Sequence, residues 1–239
     1  MKKIIIATTK TWNIEKAEQL KKRRKDEYSI KLMTSKEELT IENIAPFQPE
    51  WIFFPHWSWI IPPSIYEQFK CVIFHTSSLP YGRGGAPLQN QIIRGIYNSE
   101  VCAVRAEEAL DAGPVYKRES ISLAIGSVEE ILISISEIVF RMIPEIVDND
   151  IHPEAQEGDV TLFERRKRKE SKIPTDLLNI RSIYDFIRML DGEGYPPAYF
   201  ELGNFRIEMT NARMKKDNSV EGRFIITRNS GADVRESYS

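Results

Sequence analysis

The chain has 239 residues, 41% hydrophobic and 28% charged, with a formal net charge of −2 and a pI near 6.0. This is the balance of a soluble globular protein with one large domain, or an ordinary domain plus a small appendage. It excludes the basic excess that nucleic-acid binding needs and any apolar run able to cross a bilayer or act as a leader, and Cys71 and Cys102 have neither metal nor disulfide spacing. The cytoplasm is the expected location, with no metal, membrane or nucleic-acid partner.

Residues 3–8 are a β-branched run that predicts a buried parallel strand. A helix follows over 13–25, where Ile14, Ala17 and Leu20 recur at helical spacing. Residues 28–33 and 51–54 read as the second and third strands, and 62–69 as a short helix with Pro63 in its first turn. The fourth strand spans 71–74 and delivers His75 at its end. Another helix begins at 87–94, and 101–105 and 115–123 are a later pair of strands. The alternation predicts an α/β sheet with helices on both faces.

Ser127 and Glu130 form a capping box, and Val128, Ile131, Leu132, Ile135, Ile138 and Val139 then repeat at helical spacing, so a packing helix starts here. Beyond Asp150 the composition changes. Residues 151–158 are polar and turn-like, 165–169 are a compact basic run suited to a solvated surface, and 182–190 form an amphipathic helix. Strands are expected over 201–211 and 222–228, around a turn at 216–218, before a polar, mobile tail from 229. The expected division is a catalytic domain over 1–160 and a helix and β-rich appendage over 161–239. An appendage of that size folds poorly alone, so it packs on the main domain or on another subunit.

His75 is one of three histidines and stands where open α/β sheets place their ligands, outside the carboxyl ends of strands. Asp111 precedes the turn Gly113-Pro114. One imidazole, one carboxylate and loops of exposed amide compose an acyl-transfer site. They equally compose a structural histidine and a turn-forming aspartate, and the residues alone leave both open. The aromatics of the loop 55–62 suit either substrate or core, and Trp12 with Asn13 either a nucleobase platform or a packed helix N-terminus. Gly82-Arg83-Gly84-Gly85 lacks the spacing and the lysine of a phosphate loop.

The stretches His75-Thr76-Ser77-Ser78-Leu79-Pro80-Tyr81, Arg83-Gly84-Gly85-Ala86-Pro87-Leu88-Gln89 and Leu110-Asp111-Ala112-Gly113-Pro114-Val115 resemble the signature of the folate-dependent formyltransferases. The resemblance is closest over 50–125 and implies a formyltransferase-type, Rossmann-like sheet with 10-formyltetrahydrofolate as donor. It implies that His75 helps deprotonate the attacking amine and stabilises the tetrahedral intermediate, that Asp111 orients His75, and that Ser77, Leu79 and Pro80 bind the folate. One position departs from the family. An asparagine that binds the formyl oxygen is expected two residues before the histidine, and Ile73 stands there, on the strand face of His75, with nothing to donate. Substitute donors are the amides of the 57–60 loop, the Ser77 hydroxyl or Asn90.

The run 74–91 resembles most the enzymes acting on nucleotide-linked amino sugars, including those near the pseudaminic acid pathway. The implied acceptor is therefore a UDP- or dTDP-linked amino deoxysugar. Phe163-Glu164-Arg165-Arg166 resembles the segment after the catalytic domain in the amino-sugar enzymes. Residues 183–188 with Gly194-Tyr195-Pro196-Pro197-Ala198-Tyr199 resemble the family's C-terminal region, which in several sugar enzymes builds β structure for dimer contacts and so allows a homodimer. Under the same resemblance the alternatives are a methionyl-tRNA formyltransferase-like enzyme, a folate-binding protein without transfer activity, and a hydrolase that uses water as acceptor.

Overall fold

Ile4, Ile5, Ile6 and Ala7 are fully buried because β1 (Lys2–Ala7) has a neighbour on each side and helices over the sheet, the setting that makes a strand apolar on both faces. The computed structural model describes residues 1–177 and 179–229. The chain continues through α1 (Thr11–Arg23), β2 (Tyr28–Met33), α2 (Ile41–Ile44), β3 (Trp51–Phe54), α3 (Pro63–Tyr66), β4 (Cys71–Thr76) and β5 (Arg83–Gly84). Next come α4 (Pro87–Ile92), β6 (Asn98–Arg105), β7 (Val115–Ser122), α5 (Val128–Asp148) and β8 (Leu162–Phe163). The last elements are α6 (Ile180–Arg188), β9 (Ala198–Leu202), β10 (Phe205–Met214) and β11 (Val220–Arg228). They compose two units. The first holds Met1–Pro87, Asn98–Ser122 and Leu132–Glu164; the second holds Leu88–Tyr97, Leu123–Ile131 and the chain from Arg165 on.

The sheet of the first unit has the order β2-β1-β3-β4-β6-β7, parallel from β2 to β4 and antiparallel at β6 and β7. This is the expected α/β class. Phe54 is the register partner of Ile73, and His75 that of Cys102. Alternate residues share a face, so Ile52, Phe54, Cys71, Ile73 and His75 look out of one side of the sheet. There Ile44, Ile61 and Ile65 pack over Ile52, Phe54 and Cys71, with Trp57 and Ile73 at the margin of the same cluster. Strand β4 runs past the expected end at 74, so His75 is held inside the ladder rather than on the turn after it.

Asn13 is 2% exposed, and its side chain is spent on structure. Its amide donates to Thr8 Oγ1 at 3.1 Å and to the Pro55 carbonyl at 3.3 Å, and it accepts from Ser136 of α5 at 2.6 Å. That use excludes Asn13 from a nucleobase platform. The expected capping box forms at α5: Ser127 N donates to Glu130 Oε2 at 2.8 Å, and Glu130 N to Ser127 Oγ at 3.2 Å.

In the second unit a sheet of order β11-β10-β9 packs on α6. The single strand expected over 201–211 is instead two strands of a hairpin, turning at Gly203 (φ 55°) and Asn204. Its register places Phe200, Leu202, Phe205, Phe224 and Ile226 on one face with the buried Ala198 and Ile207, and those five remain exposed. Arg188 of α6 is 1% exposed and fully engaged. It donates to Asp185 Oδ1 at 2.6 Å, to the Leu123 carbonyl at 2.7 Å and to the Gly126 carbonyl at 3.0 Å. The expected tail past 229 lies outside the described residues.

Candidate active site

The segment 106–114 connects β6 to β7 and brings Asp111 back to β4, where its Oδ2 lies 3.4 Å from His75 Nδ1. Both side chains are more than nine-tenths buried. Asp111 takes a left-handed backbone, φ 54°, which aspartate tolerates better than most residues. The turn-former and the candidate catalytic carboxylate are thus the same residue. Gln156 clamps the turn, its amide donating to the carbonyls of Asp111 and Gly113, each at 2.8 Å.

The glycine loop lies against both members of the pair. Gly84 N donates to Asp111 Oδ2 at 2.9 Å, and the Gly82 carbonyl is 2.8 Å from His75 Nε2. That carbonyl only accepts, so the contact puts a hydrogen on Nε2, while an ionised Asp111 asks for one on Nδ1. For Nε2 to take a proton from anything else, the Gly82 carbonyl must first give way.

The loop is held by β5 pairing with β8, which sets Gly84 beside Phe163. A side-chain carbon at Gly82 would come within 2.5 Å of the Phe163 ring, and one at Gly84 within 2.5 Å of the Phe163 carbonyl oxygen. Both glycines have positive φ. Arg83 adds a tie, donating through Nε and Nη2 to Gln156 Oε1 at 3.0 and 2.8 Å. Gln156 and Phe163 went unseen in the sequence reading of this site. Gln156 acts through bonds to residues far from it in sequence, and Phe163, although part of a quoted motif, meets the glycine loop only through the β5–β8 pairing.

Ser77 and Leu79 are buried, Ser77 wholly, and Pro80 is buried with them. The Ser77 hydroxyl donates to the Gly82 carbonyl at 3.3 Å, so it is not a free substitute for the missing amide. Leu79 packs with Cys102, Val104, Val115 and Ile73. These residues shape the turn after β4. The exposed apolar side chains nearby in the chain are Trp59 and Ile60, on the loop after β3, and Leu110, next to Asp111. Asn90 belongs to the second unit. Among the described residues no group of acids, histidines or cysteines could hold a metal ion, and no helix is long and apolar enough to cross a membrane.

A buried histidine–aspartate pair at the carboxyl end of a parallel strand, in an α/β sheet, is the arrangement of an acyl-transfer enzyme. The formyl transferase family model matches residues 4–135, and the model for the methionyl-tRNA formyltransferase C-terminal domain matches 168–227. The chain belongs to the formyl transferase family, whose formyl donor is 10-formyltetrahydrofolate. A solved methionyl-tRNA formyltransferase from Clostridium thermocellum is 44% identical, with a TM-score of 0.92 over 96% of this chain and 100% of that one. A sugar N-formyltransferase from Shewanella sp FDAARGOS_354 shares the fold, with a TM-score of 0.68 at 13% identity over 93% of this chain and 96% of that one. Methionyl-tRNA formyltransferase of Thermodesulfovibrio yellowstonii is 26% identical over 81% of this chain and 64% of its own length. The chain therefore spans less than two thirds of the length of the curated relatives it matches.

Proposed function

We propose that this protein transfers the formyl group of 10-formyltetrahydrofolate to the amine of a nucleotide-linked amino deoxysugar, carried on UDP or dTDP. The observation that carries the reaction is the 3.4 Å approach of His75 to Asp111 under the glycine loop. The amine, uncharged when it attacks, gives its lone pair to the formyl carbon. Its proton passes to His75 Nε2 once the Gly82 carbonyl is displaced and the neutral ring carries its one hydrogen on Nδ1, where Asp111 holds it. Collapse of the tetrahedral intermediate breaks the bond to the folate nitrogen, which leaves with the electron pair and a proton. For the folate, Trp59, Ile60 and Leu110 offer apolar surface suited to a flat ring, and the buried Ser77, Leu79 and Pro80 set the shape of the turn it meets.

Two observations favour a small acceptor. The net charge is −2, and several cations of the second unit are matched by acids: Lys172 with Glu201, Arg206 with Glu208, Lys215 with Glu221. A tRNA-binding face needs unmatched cations. Methionyl-tRNA is the second reading, favoured by the 44% identity to the Clostridium thermocellum protein. The half-exposed apolar face of the C-terminal sheet supports self-association as a homodimer.

The test is mass spectrometry of UDP- and dTDP-linked amino sugars and of methionyl-tRNA after incubation with 10-formyltetrahydrofolate and protein. One added formyl group on a sugar is expected. Formylated methionyl-tRNA with untouched sugars would overturn the acceptor, and formate release without any acceptor would make the protein a hydrolase. Donor bound but unchanged in every mixture would leave a folate-binding protein.

A further inference from the structure

Attack on the formyl carbon pushes the carbonyl electron pair onto oxygen, and a site that lowers this barrier needs a hydrogen-bond donor aimed at that oxygen. The groups around His75 do not provide one freely. Ile73, two residues earlier on the same face, has no polar atom; the Ser77 hydroxyl is bonded to the Gly82 carbonyl; and Gly84 N is bonded to Asp111.

Three buried side-chain atoms lack a hydrogen-bond partner among the described residues: Arg24 Nε, Trp57 Nε1 and Gln89 Nε2. Leaving a buried donor unpaired costs free energy, so each asks for a reason. Arg24 caps the far end of α1, where its Nη2 donates to Asp148, Glu27 and Tyr28. Gln89 lies in the second unit. Trp57 alone of the three belongs to the layer that carries Ile73 and His75. It follows β3, whose last residue Phe54 is the register partner of Ile73. The Trp57 ring packs edge-on against Phe54 at 5.9 Å and against Trp59 at 4.9 Å. Trp57 and Ile73 also border one apolar cluster.

We propose that the indole N–H of Trp57, covered in this structure, is uncovered when the donor binds and is the hydrogen-bond donor to the formyl oxygen, taking the place that Ile73 leaves without one. The inference rests on the transfer reaction proposed above. On attack the oxygen gains the carbonyl pair, the indole N–H holds it, and the pair returns when the bond to the folate nitrogen breaks. The indole keeps its hydrogen throughout, so His75 remains the group that moves a proton.

The test compares wild type, Trp57→Phe, and Trp57→Phe combined with Ile73→Asn. Turnover is measured together with the infrared stretch of the carbon-13-labelled formyl carbonyl in the bound donor. Phenylalanine keeps an aromatic ring against Phe54 and Trp59, removes the donor and gives up some ring volume, which the double variant controls for. Turnover should fall by roughly 10²–10³-fold, the usual loss for one oxyanion donor, with the donor KM little changed. The carbonyl stretch should move to higher frequency. Asparagine at 73 should return part of the rate and the lower frequency, which a variant that merely folds badly would not do. Unchanged turnover and an unchanged band in Trp57→Phe would overturn the proposal. If wild type transfers to no acceptor, the functional reading fails on its own, and the band shift between wild type and Trp57→Phe still decides whether the indole touches the formyl oxygen.

Discussion

Replacing Gly84 with alanine tests whether the glycine loop is a working part of the site. Gly84 has φ +102°, a conformation that side chains avoid, and residues forced into such regions cost about 1–3 kcal/mol. The added carbon would also lie 2.5 Å from the Phe163 carbonyl oxygen. That oxygen is backbone, fixed by the pairing of β5 with β8, so no side-chain rotation relieves the clash. Overpacking of this kind costs a further 1–3 kcal/mol or so. The cheapest relief is to part β5 from β8, which withdraws Gly84 N from Asp111. Gly84→Ala should therefore lose about 2–6 kcal/mol of stability, or else open the loop. In either case formyl transfer should fall well below a tenth of the wild-type rate. Urea unfolding followed by circular dichroism gives the first quantity, and single-turnover transfer the second. A variant with an unchanged urea midpoint and a rate within twofold of wild type would refute the reasoning.

Other substitutions probe separate links. His75→Ala should remove the roughly 10²–10⁴-fold that acid–base catalysis supplies while leaving folate binding measurable by fluorescence titration; near-normal transfer would dismiss the imidazole. Arg188→Met leaves Asp185 with Arg181 and Tyr97 as partners but frees the Leu123 and Gly126 carbonyls, which should destabilise the protein by about 2–5 kcal/mol in the same urea experiment; a loss below about 1 kcal/mol would show those bonds to be dispensable. Burial pushes the Cys71 thiol up to about 12 and the Cys102 thiol up to about 11, so at pH 8 both carry their protons. Iodoacetamide should spare them until denaturant is added, and rapid labelling of native protein would contradict the buried placement. Phe224→Glu puts a charge on the apolar sheet face and should shift sedimentation from dimer to monomer, whereas a wild-type protein already monomeric would dismiss that face as a contact.

The elements best read from sequence were those whose pattern is local. The runs at Ile4–Ala7 and Trp51–Phe54 are apolar on both faces and can only be interior strands, and the Ser127/Glu130 box marks the start of α5 within one turn. The hairpin of β9 and β10 was missed because its apolar residues lie on a half-exposed face and its turn is only Gly203-Asn204. The meeting of Asp111 with His75 came from resemblance, since spacing alone does not say that the segment after β6 curls back. The β5–β8 pair and the Gln156 clamp join residues far apart in sequence through one or two bonds each, with no periodicity to betray them. Asn13, read as a possible platform for a base, is a buried tie between the end of β1, the end of β3 and α5.

The pairing of β5 with β8 also orders events during synthesis. A ribosome makes His75 and Asp111 long before it reaches Leu162 and Phe163, yet those late residues hold the glycine loop against both. A nascent chain that has emerged as far as α5 already possesses the imidazole and the carboxylate, with the loop between them untethered. The two glycines accept no side chain because the space beside them is reserved for a strand not yet made. Under the proposed reaction the site is complete only once Leu162 and Phe163 have been made and have docked on the glycine loop.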